Sequence, residues 1–393
     1  MKKNGECRIT GLILAGGISA RMGECKALLP LPRKSALEAI VSRMRSSGVG
    51  TIIVVTGCHE ETVRREALRL DCVTVHNPAF KSGMFSSVLA GVRALRHRSE
   101  AFFLLPVDIP LVKRSTYRSL IDAFNEGYGA PDVVYPTFMG ERGHPPLIGR
   151  ELIKGILKWK GESGLKGFLD ECAGSLDIPT GDRGTQLDMD TPEDYRKLMK
   201  YVKGEKYPDD DECAELLSIA GTPPRIVRHM KVVAMCADRI AGALDETGIS
   251  INRRLLRSAC LLHDISKGEK DHEAQGARWL RGRGYTGAAK LVACHKDLPE
   301  RRKSLGEAEI LYLADKITDG EMVSTLKHRL LRMQARFAPE NDAISSAKRR
   351  IKLASDIQKK VEKSAGRSLE EILTEAPEAI EWSLRRNGMT EIF

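Results

Sequence analysis

Through its first half the chain alternates short β-branched or aromatic runs with longer amphipathic stretches, and this alternation leaves few folds open. TGLILAGG, TIIVVTG, VTVHN, AFFLLPVD and DVVYP are short, apolar and stopped by turn formers or polar residues, as strands buried on both faces are. Between them, SALEAIVSRMRSSG, EETVRREALRL, SSVLAGVRALRH and KRSTYRSLIDAFNEG carry apolar residues three and four apart, the spacing of a helix with one buried face. The pattern predicts an α/β unit: a mostly parallel sheet covered by helices on both sides. Ligands of such a sheet gather at the carboxyl ends of its strands.

The character changes after Tyr201. VKGEKYPDDDEC is polar, acidic and proline-containing, which reads as a linker. Beyond Thr222-Pro223-Pro224 the patterns are helical and no strand is expected: HMKVVAMCADRIAGALDETG, NRRLLRSACLLHDISKG, HEAQGARWLRGRG, GAAKLVACHKDL and EAEILYLADKITDG, then a tail with EEIL and AIEWSL as apolar faces. The expected division is an α/β domain over 1–203, a linker over 204–222, an all-α domain over 223–335 and a helical tail over 336–393. No apolar run approaches the ~20 residues of a membrane span, and the start MKKNGECRIT has no signal-peptide apolar region. The nine cysteines are an odd, scattered set with no CxxC pair, so reduced thiols and a cytoplasmic location are expected. A net charge of +10 with a basic last third (KHRLLRMQAR, AKRRIKLASDIQKK) suits phosphorylated small molecules as well as nucleic acid. At helical spacing those basic runs read as a solvated helix face. With 5% aromatics no base-stacking platform is visible, and nucleic acid is not an expected partner.

The first strand runs into Leu14-Ala15-Gly16-Gly17-Ile18-Ser19-Ala20-Arg21-Met22-Gly23, with Lys26 following. Paired glycines let backbone N–H groups approach an anion closely, and Arg21 and Lys26 add positive charge. The segment is neither GxGxxG nor GxxxxGK[ST], so a dinucleotide fold and a Walker ATPase lack support. LILAGGISARMGECKALLPL resembles the signature of the molybdenum-cofactor nucleotidyltransferases, within the wider sugar-nucleotide and cytidylyl transferase fold. Later segments resemble the same family in order: Asn77-Pro78 with Ser82-Gly83-Met84-Phe85-Ser86-Ser87, LPVDIP around Asp108, Arg142-Gly143-His144-Pro145, and Asp188-Met189-Asp190-Thr191-Pro192-Glu193-Asp194-Tyr195.

The resemblance implies a Rossmann-like fold of nucleotide-diphospho-sugar transferase type, spanning roughly residues 9–200. It implies nucleotide binding by Leu14, Ala15, Gly16, Gly17, Ser19, Arg21, Lys26, Asn77 and Gly83. Met84, Ser86, Ser87, Arg142 and His144 would meet the acceptor, with Arg21, Lys26 and Asp108 catalytic. Mg²⁺, a hard ion held by one or two carboxylates plus phosphate oxygens, would sit on Asp108 and Asp190, with Asp188 the lesser candidate. Plainer readings stay open. Asp190 could cap the helix ahead of Pro192, Asp108 could be a turn acid, and Ser86 and Ser87 could cap the helix they open. The implied reaction moves CMP from CTP to a molybdopterin-type acceptor, and a molybdenum hydroxylase or its maturation factor is the implied partner. Ala15-Gly16-Gly17 is spelled as in the guanylyl branch, which keeps GTP as the alternative.

In the second half, His229, His263-Asp264 and Asp315 resemble the H…HD…D pattern of the HD superfamily of metal-dependent phosphohydrolases. Lys267 supplies the HDxxK lysine, and His272 and His295 fall where some members, including a group that hydrolyses dinucleoside tetraphosphates, hold a second metal. The resemblance covers about residues 223–325. It implies one or two divalent ions, and imidazole with carboxylate suits Fe, Mn, Zn, Co or Ni. Asp264 is the expected bridging ligand, and Lys267, one turn further along the same expected helix, would neutralise a phosphate. The alternative is a non-catalytic HD sensor or docking module. His59, His76, His97 and His328 lie outside both patterns and read as surface or packing residues.

Overall fold

The computed structural model describes residues 8–95, 99–126, 131–299, 304–337 and 341–374. Two compact units divide the chain, one built mainly from residues up to Glu205 and the other mainly from residues after it. AIEWSL and His97 lie outside the described residues. No described helix is long and apolar enough to cross a membrane.

In the first unit the expected strands form Ile9–Ala15, Thr51–Thr56, Val73–His76, Ala101–Pro106 and Val133–Phe138. Ile9–Ala15 sits centrally, parallel to Ala101–Pro106 on one side and to Thr51–Thr56 on the other. Val73–His76 extends the second side in parallel. Three further strands complete the other flank, one of them the two-residue Glu141–Arg142, antiparallel to Val133–Phe138. Leu147–Gly149 inserts antiparallel between Ala101–Pro106 and Val133–Phe138, and Ser175–Pro179 adds in parallel at the edge.

Each central strand feeds two cores, because successive side chains point to opposite faces. Ile13, Phe103 and Leu105 pack with Ile40, Met44, Tyr117 and Leu120 on one face. Leu12, Leu14, Phe102 and Leu104 pack with Val88 and Val92 on the other. Every such fully buried side chain is worth roughly 1.5–3 kcal/mol, so the sheet centre is the rigid part of this unit. The loops after Ala15 and Pro106 leave from its carboxyl edge.

The second unit is helical: Pro224–Asp245, Arg253–Leu262, His272–Gly282, Thr286–Val292, Glu307–Lys316, Leu326–Phe337, Asn341–Ala365 and Leu369–Thr374. Pro224–Asp245 packs against both Arg253–Leu262 and Glu307–Lys316, burying Val233, Ala237, Ile240, Leu256, Ile310 and Leu313. Asn252 caps the second of these helices, its side chain accepting from Leu255 N.

Three expectations are corrected. The stretch read as a linker contains a helix, Asp210–Ile219. Asp209 accepts from Glu212 N at 2.9 Å while Glu212 accepts from Asp209 N at 3.0 Å, and this reciprocal capping offsets the acidic composition. A minimal antiparallel pair, Thr318–Asp319 with Met322–Val323, turns through Gly320 where no strand was expected; two residues are too few to show a period. The helix bearing the HD motif ends at Leu262, so Asp264 and Lys267 lie on the turn that follows it, not on one helix.

Candidate active sites

At the carboxyl edge of the first unit's sheet, the loop after Ala15 is seated by backbone. Gly16 O accepts from Cys58 N at 3.2 Å. A Cβ on Gly57 would lie 2.4 Å from Gly16 O, so only glycine allows that approach at position 57. Leu14 and Ala15 are buried strand residues whose side chains serve the core. Gly17 is exposed with open space around it, and Ser19 O accepts from both Met22 N and Gly23 N.

Lys26 stands between two acids that are distant in sequence. Its Nζ is 3.1 Å from Asp108 Oδ2 and 2.5 Å from Asp190 Oδ1, and Arg21 Nη1 lies 3.2 Å from Asp190 Oδ2. Asp190 does not cap the helix Pro192–Lys203; Thr191 does, accepting from Asp194 N. The Asp190 carboxylate is thereby left for the cations. Its pKa is held below the usual range by the Lys26 hydrogen bond. Burial works to lower the Lys26 pKa, but the two acids outweigh it and leave it raised. Asp188 is pushed up by burial and by Asp190. Two carboxylates converging on one ammonium form a hard oxygen set, which fits Mg²⁺.

Asn77 is buried and gathers the next segment: its Nδ2 donates to Ser86 Oγ at 2.8 Å and Ser87 Oγ at 2.9 Å. Gly83, at φ 96°, starts the helix Met84–Ala94 with no side-chain cap, so neither serine acts as its N-cap. Ser87 Oγ would be 3.2 Å from a Cβ on Gly16, which ties this segment to the glycine loop. Met84 projects into solvent. His144 N donates to Thr185 O, its Nδ1 is buried without a hydrogen-bond partner, and burial lowers its pKa against the pull of Asp108. Arg142 is engaged elsewhere, paired with Asp177 at 2.7 Å and stacked 4.1 Å over the Tyr135 ring.

Sequence reasoning missed two supports. One is Gly57, legible only as the end of a strand. The other is Asp182, fully buried, which accepts from Lys113 N, Lys113 Nζ, Thr116 Oγ1 and Gly184 N. It fixes the turn whose Thr185 carbonyl holds His144; within GDRGT it looks like any turn acid.

In the second unit all six expected ligands converge. Asp264 Oδ2 faces His263 Nε2 at 3.5 Å and His229 Nε2 at 4.0 Å, while its Oδ1 faces His272 Nε2 at 3.2 Å and His295 Nε2 at 3.5 Å. Asp315 Oδ1 adds to the first group, 3.4 Å from His229 Nε2 and 3.7 Å from His263 Nε2. Two clusters able to hold an ion therefore share one carboxylate. Backbone carbonyls fix the rings: His229 Nδ1 is paired with Gly320 O, His263 Nδ1 with Cys260 O and His295 Nδ1 with Val292 O. Those bonds put the proton on Nδ1 and leave each Nε2 lone pair for a metal.

His263 is completely buried, which pushes its pKa down to about 4. Burial disfavours the Asp264 charge, yet the imidazoles and Lys267, whose Nζ is 2.8 Å away, hold its pKa well below the carboxylate range. His263 Nε2 and Asp264 Oδ1 are buried with no hydrogen-bond partner. Orphaned atoms cost folding energy unless something completes them, and a divalent transition ion fits this imidazole–carboxylate set. His59 is half-buried, His76 pairs with Glu60, and His328 sits on the surface near Ser324.

The basic runs are corrected too. Arg329, Arg332 and Arg350 line a cleft of about 700 Å³ together with His229, His272, His295 and Asp315, rather than forming only a solvated face.

Comparison with known proteins matches residues 11–176 to the MobA-like NTP transferase domain and residues 226–319 to the HD domain. The molybdenum cofactor cytidylyltransferase of Escherichia coli is 27% identical over 186 residues, covering 47% of this chain and 92% of that protein. Nicotine blue oxidoreductase of Paenarthrobacter nicotinovorans is 30% identical over 200 residues, covering 49% and 96%. A probable molybdenum cofactor guanylyltransferase of Aquifex aeolicus is 27% identical over 193 residues, covering 48% and 90%.

Proposed function

The chain belongs to the MobA-like NTP transferase family through its first half and carries an HD domain in its second, and from that premise we propose that it transfers CMP from CTP to a molybdopterin-type phosphate and separately hydrolyses a phosphate linkage of a nucleotide or dinucleotide. The observation carrying the transferase half is the convergence of Asp108, Asp190, Lys26 and Arg21 just beyond the strands. A phosphate oxygen of the acceptor bonds to the α-phosphorus of CTP, the bond from that phosphorus to its β-bridging oxygen breaks, and pyrophosphate leaves. Catalysis of this kind is mostly positioning and charge neutralisation. Gly16 and Gly17 offer backbone N–H groups to the phosphates, and Lys26 and Arg21 offset the negative charge of the triphosphate. Asn77 holds Ser86 and Ser87 toward the acceptor side. Asp108 and Asp190 would hold Mg²⁺, which when bound neutralises phosphate charge.

In the HD half, His229, His263, Asp264 and Asp315 would hold one ion, and Asp264, His272 and His295 a second. Such ions supply Lewis acidity at the scissile phosphorus–oxygen bond. Lys267 brings an ammonium to the same place, and water adds across the broken bond.

The test is pyrophosphate release by the full chain with molybdopterin and each NTP in turn. Release with CTP alone supports the reading, and loss of it in Asp108→Ala places that carboxylate in the reaction. Release with GTP instead favours the second reading, a guanylyl transferase, which rests on Ala15-Gly16-Gly17. No release with any NTP overturns both.

A further inference from the structure

The HD cleft is completed by residues that follow the matched HD segment. That segment ends at residue 319, yet Arg329, Arg332 and Met333 of the helix Leu326–Phe337 and Arg350 of the helix Asn341–Ala365 line the same cleft as the histidines. Among the described residues, and apart from histidine, its charged lining is six cations (Lys267, Lys296, Lys316, Arg329, Arg332 and Arg350) against Asp315 and Asp319. Among the described residues none of its lining is Phe, Tyr or Trp. About 700 Å³ is the size of a nucleotide-class pocket rather than of an orthophosphate site.

Two of the arginines are built into a fork. Arg329 and Arg332 are three apart on one helix face, and both guanidiniums bind the one carboxylate of Asp319. Arg329 Nη1 also donates to Thr318 O at 2.6 Å. One carboxylate against two guanidiniums leaves a net positive charge, and each guanidinium has five N–H donors to spend. The short strand pair that presents Asp319 also carries Gly320, whose carbonyl fixes the His229 ring. The fork and the metal ligands are thus held by one turn.

We propose that Arg329 and Arg332 form a second phosphate subsite beside the histidine cluster, so that the HD half selects its substrate by the length of the phosphate chain and not by the base. This rests on the phosphohydrolase reading above and names its substrate class as oligophosphate nucleotides. Arginine–phosphate pairs are strong and often bidentate, whereas the rings in the described lining are imidazoles, and these belong to the ion-binding clusters.

The experiment has a binding arm and a kinetic arm, both in the full chain carrying Lys26→Met so that the transferase loop contributes least. In the first, metal-free protein is titrated with inorganic tripolyphosphate by calorimetry. Arg332→Ala, a change at a largely exposed side chain, is expected to weaken binding ten-fold or more, while Lys327→Ala, exposed on the same helix and outside the cleft, leaves it within two-fold. Equal effects of the two changes overturn the subsite. In the second, the Mn²⁺-loaded protein is given nucleoside mono-, di- and triphosphates of adenine and cytosine. kcat/KM is expected to rise with phosphate number and to differ less than about three-fold between bases, with the chain-length preference falling ten-fold in Arg332→Ala. Arg332-dependent tripolyphosphate binding without any hydrolysis refutes the phosphohydrolase reading and retains the subsite. Hydrolysis whose chain-length preference survives Arg332→Ala refutes the subsite alone.

Discussion

Replacing Lys26 with Met tests the transferase site most directly, because its ammonium joins the two acids assigned to Mg²⁺. Lys26 is 14% exposed and lies 3.1 Å from Asp108 and 2.5 Å from Asp190, whose side chains are 21% and 34% exposed. Fully exposed pairs contribute ~0–1 kcal/mol, and breaking a buried one costs ~3–5 kcal/mol. A partly buried ammonium shared by two carboxylates falls between, at about 2 kcal/mol. For a unit of this size that lowers the melting midpoint by roughly 4–8 °C. The same loss frees the carboxylates for an ion, since in the native chain the ammonium competes for their oxygens. Mg²⁺ should therefore raise the midpoint of Lys26→Met more than that of the native protein. Pyrophosphate release should fall about 100-fold or more, as when a charge-stabilising donor is removed. Calorimetry in chelator and in Mg²⁺, with a pyrophosphate assay, reads all three. Equal Mg²⁺ gains in the two proteins would show that Asp108 and Asp190 are not the ion's seat. Activity within three-fold of native would remove Lys26 from the phosphates.

Asp264→Asn weakens the ligand shared by both histidine groups, so metal analysis of the purified chain should find less than half the native metal; loss of just one of two ions would confine Asp264 to a single group. Gly57→Ala places a methyl 2.4 Å from Gly16 O and should weaken nucleotide binding at least ten-fold by calorimetry, an effect whose absence would mean the loop position does not matter. Asp182→Ala takes the carboxylate from the buried Lys113 ammonium, leaving it Tyr201 Oη, and should cost about 3–5 kcal/mol; denaturant unfolding showing under 1 kcal/mol would make that pair incidental. His144 is lowered by burial, so the unfolded chain takes up this proton first on acidification. Its share of stability is then intact above the ordinary His range near pH 6.5 and is lost as pH falls through that range toward the folded value. An NMR titration midpoint at or above 6.5 would contradict the burial argument.

The parts of the fold that could be read in the residues are those where one face or both faces of an element are dry. Ile9–Ala15 and Ala101–Pro106 are buried throughout, so their apolar runs are unbroken. Ser175–Pro179 is an edge strand, largely exposed, and SLDIP carries no such signal. Leu147–Gly149 has three residues and gains its place only from the neighbours on either side. The helix Asp210–Ile219 buries a stripe of Cys213, Leu216 and Leu217, but its acidic first turn, held by the reciprocal cap, reads as linker in the sequence. Site residues divide the same way. Asp108, Asp190 and the four histidines carry chemistry in their identity and order, whereas Gly57 and Asp182 act through backbone approach and burial. Arg329 and Arg332 sit in a basic run that suits a wet face equally well, and only the packing of their helix turns them onto the cleft.

The two sites handle charge in opposite ways, and that follows from their donors. In the first unit the acids are already compensated: Lys26 and Arg21 occupy the oxygens of Asp108 and Asp190, so the folded chain has no standing need for an ion. An incoming triphosphate can draw the ammonium and guanidinium away and expose the carboxylates as the nucleotide arrives, which suits an ion that enters with its substrate. In the second unit the converging Nε2 atoms have no cation among them. Lys267 pairs with Asp264 Oδ2 and Lys316 with Asp315 Oδ2, and His263 Nε2 and Asp264 Oδ1 have no hydrogen-bond partner. The imidazole–carboxylate set there fits a divalent transition ion, whereas the all-oxygen pair Asp108 and Asp190 fits Mg²⁺.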